Sequence, residues 1–344
     1  MKAIGALTVC AMASVDALRI AINHLPRFDV TALDKRIGLG IAHWRGADKA
    51  MSGWGRAKAD NAASCPVGSN VNVLFVSGLD QSGLAILPWL PHVTCVAGLD
   101  VLFSTNAKPH SFADITDFID RYTDKDTIIL SESFGCLSAK EVAHKSKGCI
   151  YLNPPLGFER SPLKSILYEI ADTGECTKAQ LTVLQSMVAR SSPDPKDLKE
   201  NIKQMSDSGH LLLLIETLAT LGINWGSHMN GDPRNEVVEL AKKFKQAHDS
   251  SRPSWTDAPK STFIISMHDT LIPSMPEANK LTEIGKSKDT TTVCYVDCGH
   301  AITSNLIQMD SVIQDLVGQG EITGKKGRYN VVKGGQKPLG FNDL

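Results

Sequence analysis

The chain has 344 residues, of which 42% are apolar and 21% charged, enough to bury one large core. Its formal net charge of −1 provides no electrostatic footprint for nucleic acid, whose binders concentrate positive charge on one face, and that class is set aside. Eight cysteines are scattered without the paired spacing of a zinc site or the density of a disulfide scaffold, so they read as mostly buried thiols.

The N-terminal stretch "MKAIGALTVCAMASVDA" has one lysine, an apolar run from Ala3 to Val15, and small residues suited to cleavage near Ala13 or Ala17. That is the pattern of a signal or targeting segment, assigned to residues 1–17, and it is shorter than the roughly 20 residues of a membrane span. A buried first helix is the ordinary alternative. Residues 18–70 are predicted to be an irregular lead-in with at most short elements, because Gly, Ala, Ser and Lys dominate with weak periodicity.

The core begins at "VNVLFVSG" (71–78), a continuous β-prone run ending in glycine. "LAILPWL" is helical in composition, "HVTCVAG" (92–98) reads as the next strand, and "SFADITDFIDRY" carries a helical apolar stripe at Phe112, Ile115, Phe118 and Ile119. "TIILSE" is a strand, residues 134–144 a helix, and "GCIYLN" a further strand. Strands alternating with helices predict an α/β fold with a mostly parallel sheet covered on both faces.

The rhythm stops near Pro154, and residues 155–255 read as a helical insertion. Thr177 and Gln180 form a capping box ahead of Leu181, Leu184 and Val188, while Pro233 opens a helix with Val237, Leu240, Ala241 and Phe244 on one stripe. The run His210–Leu221 is too short to cross a bilayer and contains Glu216, so it reads as a buried helix. From 256 the β/α pattern returns as "STFIISM", "PEANKLTEIG", "TTVCYV" and a last helix over 303–317. Residues 319–344, rich in Gly and Lys, read as a mobile tail.

Chemistry enters at "TIILSESFGCLSAK", where a strand must turn at once into a helix around Ser133. Such an elbow holds a side chain in a strained, exposed position suited to a nucleophile. A serine attacks only when a base removes its proton and a third group orients that base. His300 in "VDCGHAI" and Asp269 in "MHDTLIP" follow the last two strands, giving the chain order Ser, Asp, His. Asp297 is the rival acid. Each residue also has a plainer reading: Ser133 as a turn residue, Asp269 as a turn opener before Pro273, His300 as a helix cap. Three such residues on strand ends make separate plain explanations the weaker account.

The oxyanion formed on attack needs preorganised N–H donors, expected from Phe134 and from Leu79 in "SGLDQSG", where Gly78 lets the backbone turn. Gly78 and Asp80 also border the substrate, with the Asp80 carboxylate expected to point away from the oxyanion. No metal or other cofactor is called for. Cys294, Cys298 and His300 lie close in sequence, but Cys294 sits in a buried strand and no second cysteine pair completes a zinc site.

Together "VSGLDQSG", "ILSESFGCLSAKEVA", "LNPPLGFERSPL", "HDTLIPSMPEANKL" and "DCGHAI" resemble the α/β-hydrolase half of plant plastid phytyl ester synthases and related esterase/lipase/thioesterase-like proteins. The likeness covers residues 71–318. Ser131 and Cys136 stand where that family usually has glycines, and no segment matches its acyltransferase-like C-terminal domain.

The resemblance implies an α/β-hydrolase core over 71–154 and 256–318, acyl-ester chemistry on lipophilic substrates, and a plastid setting. In algae with complex plastids, such a setting is reached through the secretory route. The insertion then acts as a cap, with Leu211, Leu214 and Leu218 as candidates for an acyl pocket. Three functions stay open: a serine esterase or lipase, an acyltransferase passing the acyl group to an alcohol such as phytol or diacylglycerol, and a non-catalytic lipid- or partner-binding protein. The expected partners are a lipophilic acyl ester, an alcohol acceptor and a peripheral membrane surface; oligomeric state is unassigned.

Overall fold

The computed structural model describes residues 54–57, 71–78, 96–102, 111–190, 233–251, 258–284, 290–300 and 305–333. It also describes positions 86, 89, 92, 93, 194, 196, 197, 199, 200, 203, 204, 255 and 302. The candidates Leu79, Asp80, Leu211, Leu214 and Leu218 lie outside the described residues, as does the segment 1–17.

Eight strands form one sheet: β1 (Trp54–Ala57), β2 (Asn72–Val76), β3 (Gly98–Leu102), β4 (Thr127–Glu132), β5 (Gly148–Leu152), β6 (Ser261–Ser266), β7 (Thr291–Val296) and β8 (Tyr329–Lys333). Their spatial order is β1-β3-β2-β4-β5-β6-β7-β8. Pairing is parallel from β3 through β7 and antiparallel at both margins, β1 on β3 and β8 on β7.

The central strands are mainly apolar because both faces are covered. Val73, Phe75, Ile128, Leu130, Ile150 and Ile264 point to one face, where they meet Met309, Val312, Ile313 and Leu316 of α7 (Met309–Leu316). Their sequence neighbours Leu74, Val76, Ile129, Tyr151, Phe263 and Ile265 point to the other. That second face is covered by α1 (Phe112–Tyr122), α2 (Gly135–Val142) and α6 (Met275–Ile284). Helix α1 starts where Ser111 and Asp114 cap one another, the Ser111 hydroxyl accepting the Asp114 N–H at 3.1 Å and the Asp114 carboxylate accepting the Ser111 N–H at 3.1 Å.

Between β5 and β6 the described residues include α3 (Pro162–Thr173), α4 (Lys178–Arg190) and α5 (Pro233–Ser250). The capping box predicted for α4 is present: Gln180 Oε1 accepts the Thr177 N–H at 2.8 Å and Thr177 Oγ1 accepts the Gln180 N–H at 3.1 Å. Val237, Ala241 and Phe244 of α5 bury against Leu163, Leu167 and Ile170 of α3. Full burial of each large apolar side chain contributes about 1.5–3 kcal/mol. Among the described residues, no helix is long and apolar enough to cross a membrane.

Three expectations shift. The strand read at 92–98 lies instead at Gly98–Leu102, where pairing with Asn72–Val76 sets the register and a half-buried Asp100 interrupts the apolar run that pattern reading seeks. The last helix starts at Met309 rather than 303, because Ile307 bridges Gly324 and the Gln308 N–H is held by the Thr323 carbonyl at 2.9 Å. The stretch from 319 read as a mobile tail supplies β8, whose register Val293↔Val332 pairs it with β7 along its length. The lead-in contributes β1, a four-residue strand, in keeping with the short elements expected of it.

Candidate active site

Strand β4 lies in the middle of the sheet and ends at Glu132, and α2 begins at Gly135, so the reversal is made by two residues. Ser133 takes φ 49°, the left-handed region that an L-residue enters at a cost of about 1–3 kcal/mol. Its N–H is anchored to the Leu152 carbonyl of β5 at 2.7 Å. Helix and sheet close tightly here. A Cβ on Gly135 would sit 2.2 Å from the Ser77 carbonyl oxygen, so only glycine fits. Ser131, where a glycine-type elbow has no side chain, directs its hydroxyl to Cys136 Sγ at 3.3 Å, and the two departures from the glycine pattern accommodate one another.

His300 follows β7 and brings Nε2 to 3.2 Å from Ser133 Oγ, while its Nδ1 lies 2.7 Å from Asp269 Oδ2. Asp269 follows β6, and its other oxygen accepts the N–H groups of Leu271 and Ile272 at 2.9 and 3.0 Å. Those two bonds fix the carboxylate plane, leaving one oxygen aimed at the imidazole. The Asp269 side chain is 2% exposed and that of His300 13%. Burial works against the charged imidazolium, but the Asp269 charge and hydrogen bond, with Glu132 nearby, outweigh it and hold His300 above its ordinary pKa. A serine, an imidazole and a carboxylate on the ends of β4, β7 and β6 are therefore hydrogen-bonded in series.

This is the α/β-hydrolase fold. The mostly parallel sheet with helices on both faces matches the sequence expectation, and the elbow after β4 and the loops after β6 and β7 bring Ser133, Asp269 and His300 together. The rival acid Asp297 is turned elsewhere: it pairs with His268 at 2.8 Å and with Arg328 at 2.8 Å. Cys294 lies inside β7 and Cys298 beside the site, its thiol pushed up to about 12, chiefly by burial, and thus protonated.

At the elbow of this α/β-hydrolase fold, Phe134 is the N-cap of α2, and its N–H stands at a helix N-terminus, where backbone donors lack intrahelical partners. Gly78 borders Ser133 directly, since a Cβ there would lie 3.3 Å from Ser133 Cβ and 3.8 Å from its Oγ. The Phe134 ring meets Phe244 of α5 at a tilt and Phe158 edge to face, with centroids 3.9 and 5.6 Å away. Helical insertion and elbow thus share one aromatic cluster. Sequence reasoning missed that cluster, because aromatic partners distant in the chain carry no local signal. It also missed Asn153, whose buried amide reaches Ser266 and the His300 carbonyl.

No protein-family model and no curated protein matches this chain. Solved structures with a similar fold include the α/β-hydrolase MGS-M2 from a Medee basin deep-sea metagenome, at 14% identity and TM-score 0.45, covering 79% of this chain and 96% of that one. A hydrolase from Pseudomonas aeruginosa has 11% identity, TM-score 0.45 and coverage of 77% and 93%. An enol-lactonase from Burkholderia xenovorans has 12% identity, TM-score 0.47 and coverage of 77% and 94%.

Proposed function

We propose that the chain is a serine hydrolase that cleaves lipophilic acyl esters through an acyl-enzyme on Ser133. The observation that carries this reading is the continuous hydrogen-bonded series from Ser133 through His300 to Asp269 at a left-handed elbow. In the first half-reaction, Ser133 Oγ attacks the ester carbonyl carbon as His300 Nε2 accepts the hydroxyl proton. Asp269, fixed by two backbone N–H groups, stabilises the imidazolium and keeps Nδ1 protonated. The tetrahedral oxyanion is met by the Phe134 N–H and, in this reading, by the Leu79 N–H. His300 then returns its proton to the leaving alkoxide, and the alcohol departs. Water attacks the acyl-enzyme with His300 again as base, releasing the acid and restoring Ser133.

The second reading is acyl transfer of the phytyl ester synthase type, in which phytol or diacylglycerol takes the place of water. The buried aromatic cluster of Phe158 and Phe244 against Phe134, next to the elbow, supports an apolar surrounding for the acyl group and limited water access. The setting belongs to the same proposal: residues 1–17 address the chain to the secretory route, and through it to a plastid. N-terminal sequencing of the native protein is expected to find those residues removed.

Turnover tests the reading. Purified protein is expected to release nitrophenol from p-nitrophenyl esters, with longer acyl chains preferred, and Ser133→Ala is expected to remove that activity. A labelled acyl donor supplied with excess phytol or diacylglycerol separates the two outcomes: free acid alone excludes transfer to those acceptors, and labelled ester establishes it. A folded protein that binds these lipids without turning them over would instead support the non-catalytic reading.

A further inference from the structure

Leu152 ends β5, and the next residue, Asn153, is 2% exposed with φ 44°. Its backbone N–H is bound by the Ile264 carbonyl of β6 at 2.8 Å. Its side-chain Oδ1 accepts the Ser266 N–H at 2.8 Å, while Nδ2 donates to Ser266 Oγ at 2.8 Å and to the His300 carbonyl oxygen. The orientation of the amide is fixed by chemistry, since a backbone N–H can only donate and a backbone carbonyl can only accept. One buried side chain thus joins three strand ends: its own after β5, the end of β6 that leads into Asp269, and the loop after β7 that carries His300.

His300 is separated from β7 by residues 297–299, and Asp269 holds its ring but not its backbone. From this geometry we propose that Asn153 is a positioning residue, whose amide sets the His300 loop at the distance where Nε2 reaches Ser133 Oγ. The proposal deepens the serine-hydrolase reading and rests on it for its catalytic consequence. The surrounding segment serves the same end. Ser274 Oγ donates to the Pro154 carbonyl at 2.8 Å and accepts the Gly157 N–H at 3.2 Å, tying residues 154–157 to the loop after Asp269. A Cβ on Gly157 would meet the Pro273 carbonyl oxygen at 2.0 Å. No other side chain substitutes readily for the amide: aspartate would set an oxygen against the His300 carbonyl, and serine lacks a second donor.

Asn153→Asp is the decisive variant, because it keeps the acceptor for the Ser266 N–H and loses the donor to the His300 carbonyl, while the Ser266 hydroxyl, no longer an acceptor for Nδ2, is free to donate to the new carboxylate. Asn153→Gly suits the left-handed backbone and carries the test should the aspartate variant fail to fold. Ser266→Ala removes a neighbouring bond and leaves the tie to His300. For Asn153→Asp and Asn153→Gly, with melting temperatures recorded, kcat on a p-nitrophenyl ester is expected to fall about 10- to 100-fold with KM nearly unchanged. In 15N-histidine-labelled protein, the His300 ring signals, assigned by their loss in His300→Gln, are expected to move in both variants and to stay in place in Ser266→Ala. A folded Asn153→Asp protein with wild-type kcat and unmoved His300 signals overturns the proposal. If the wild type itself has no turnover, the hydrolase reading fails; the brace is then decided by the ring signals, moved in Asn153→Asp if it stands and unmoved if it does not.

Discussion

At the scale of single residues, the site depends on backbone room and on charge. Gly135→Ala would push a methyl group against the Ser77 carbonyl at a separation no real Cβ adopts, and the rigid elbow leaves little to yield. It is expected to destabilise the fold by about 2–3 kcal/mol or more in urea denaturation. His300 gives a second expectation. In the proposed reaction only the neutral imidazole accepts the Ser133 proton, and Asp269 with Glu132 holds its pKa above the ordinary 6.5 against the opposing effect of burial. The acid limb of kcat/KM is therefore expected to have its midpoint above that value, and Glu132→Gln to move it downward. Stability runs the other way. A raised folded-state pKa contributes stability that is fully present below the unfolded value and is lost as pH rises through the folded one. The melting temperature lost in His300→Gln should accordingly be larger at about pH 6 than at about pH 9. Ser133, Asp269 and His300 were legible in the sequence because each follows a clear strand and each carries a group with a known task. Asn153 was not, since an asparagine ahead of Pro154 and Pro155 has the composition of any turn.

At the scale of elements, the helical insertion and the elbow meet through Phe134, Phe158 and Phe244, of which the last two are buried. Phe244→Ala leaves a ring-sized void against Phe134 and is expected to cost about 3–5 kcal/mol in chemical denaturation, with reduced turnover as the elbow loses its support. Long apolar strands such as "TIILSE" and well-capped helices such as α1 and α4 could be read directly, because local pattern and tertiary burial agree in them. Where they disagree, the reading slipped. Asp100 inside β3, the polar register of "YNVVK" in β8 and the bridge that delays α7 to Met309 are all set by partners distant in the chain.

At the scale of the whole molecule, a charged network ties part of the chain between β5 and β6 to the C-terminal region. Asp197, with its side chain 4% exposed, pairs with Lys325 at 3.3 Å and with Arg328 at 3.1 Å, and Arg328 continues to Asp297 and so to His268 beside Asp269. Asn305 donates to Asp197 and Glu200 from the loop after His300. Removing the carboxylate in Asp197→Ala leaves two cations without their buried partner and is expected to cost about 2 kcal/mol, read as a lower denaturant midpoint. Such a network joins segments more than a hundred residues apart, so no stretch of sequence announces it.

The account rests on Ser133 being an activated nucleophile, and covalent labelling addresses that most directly. A fluorophosphonate probe followed by peptide mass mapping is expected to place a single adduct on Ser133, with labelling abolished in Ser133→Ala and strongly slowed in His300→Ala. Folded wild-type protein that takes up no probe, or an adduct that persists in Ser133→Ala, would contradict it.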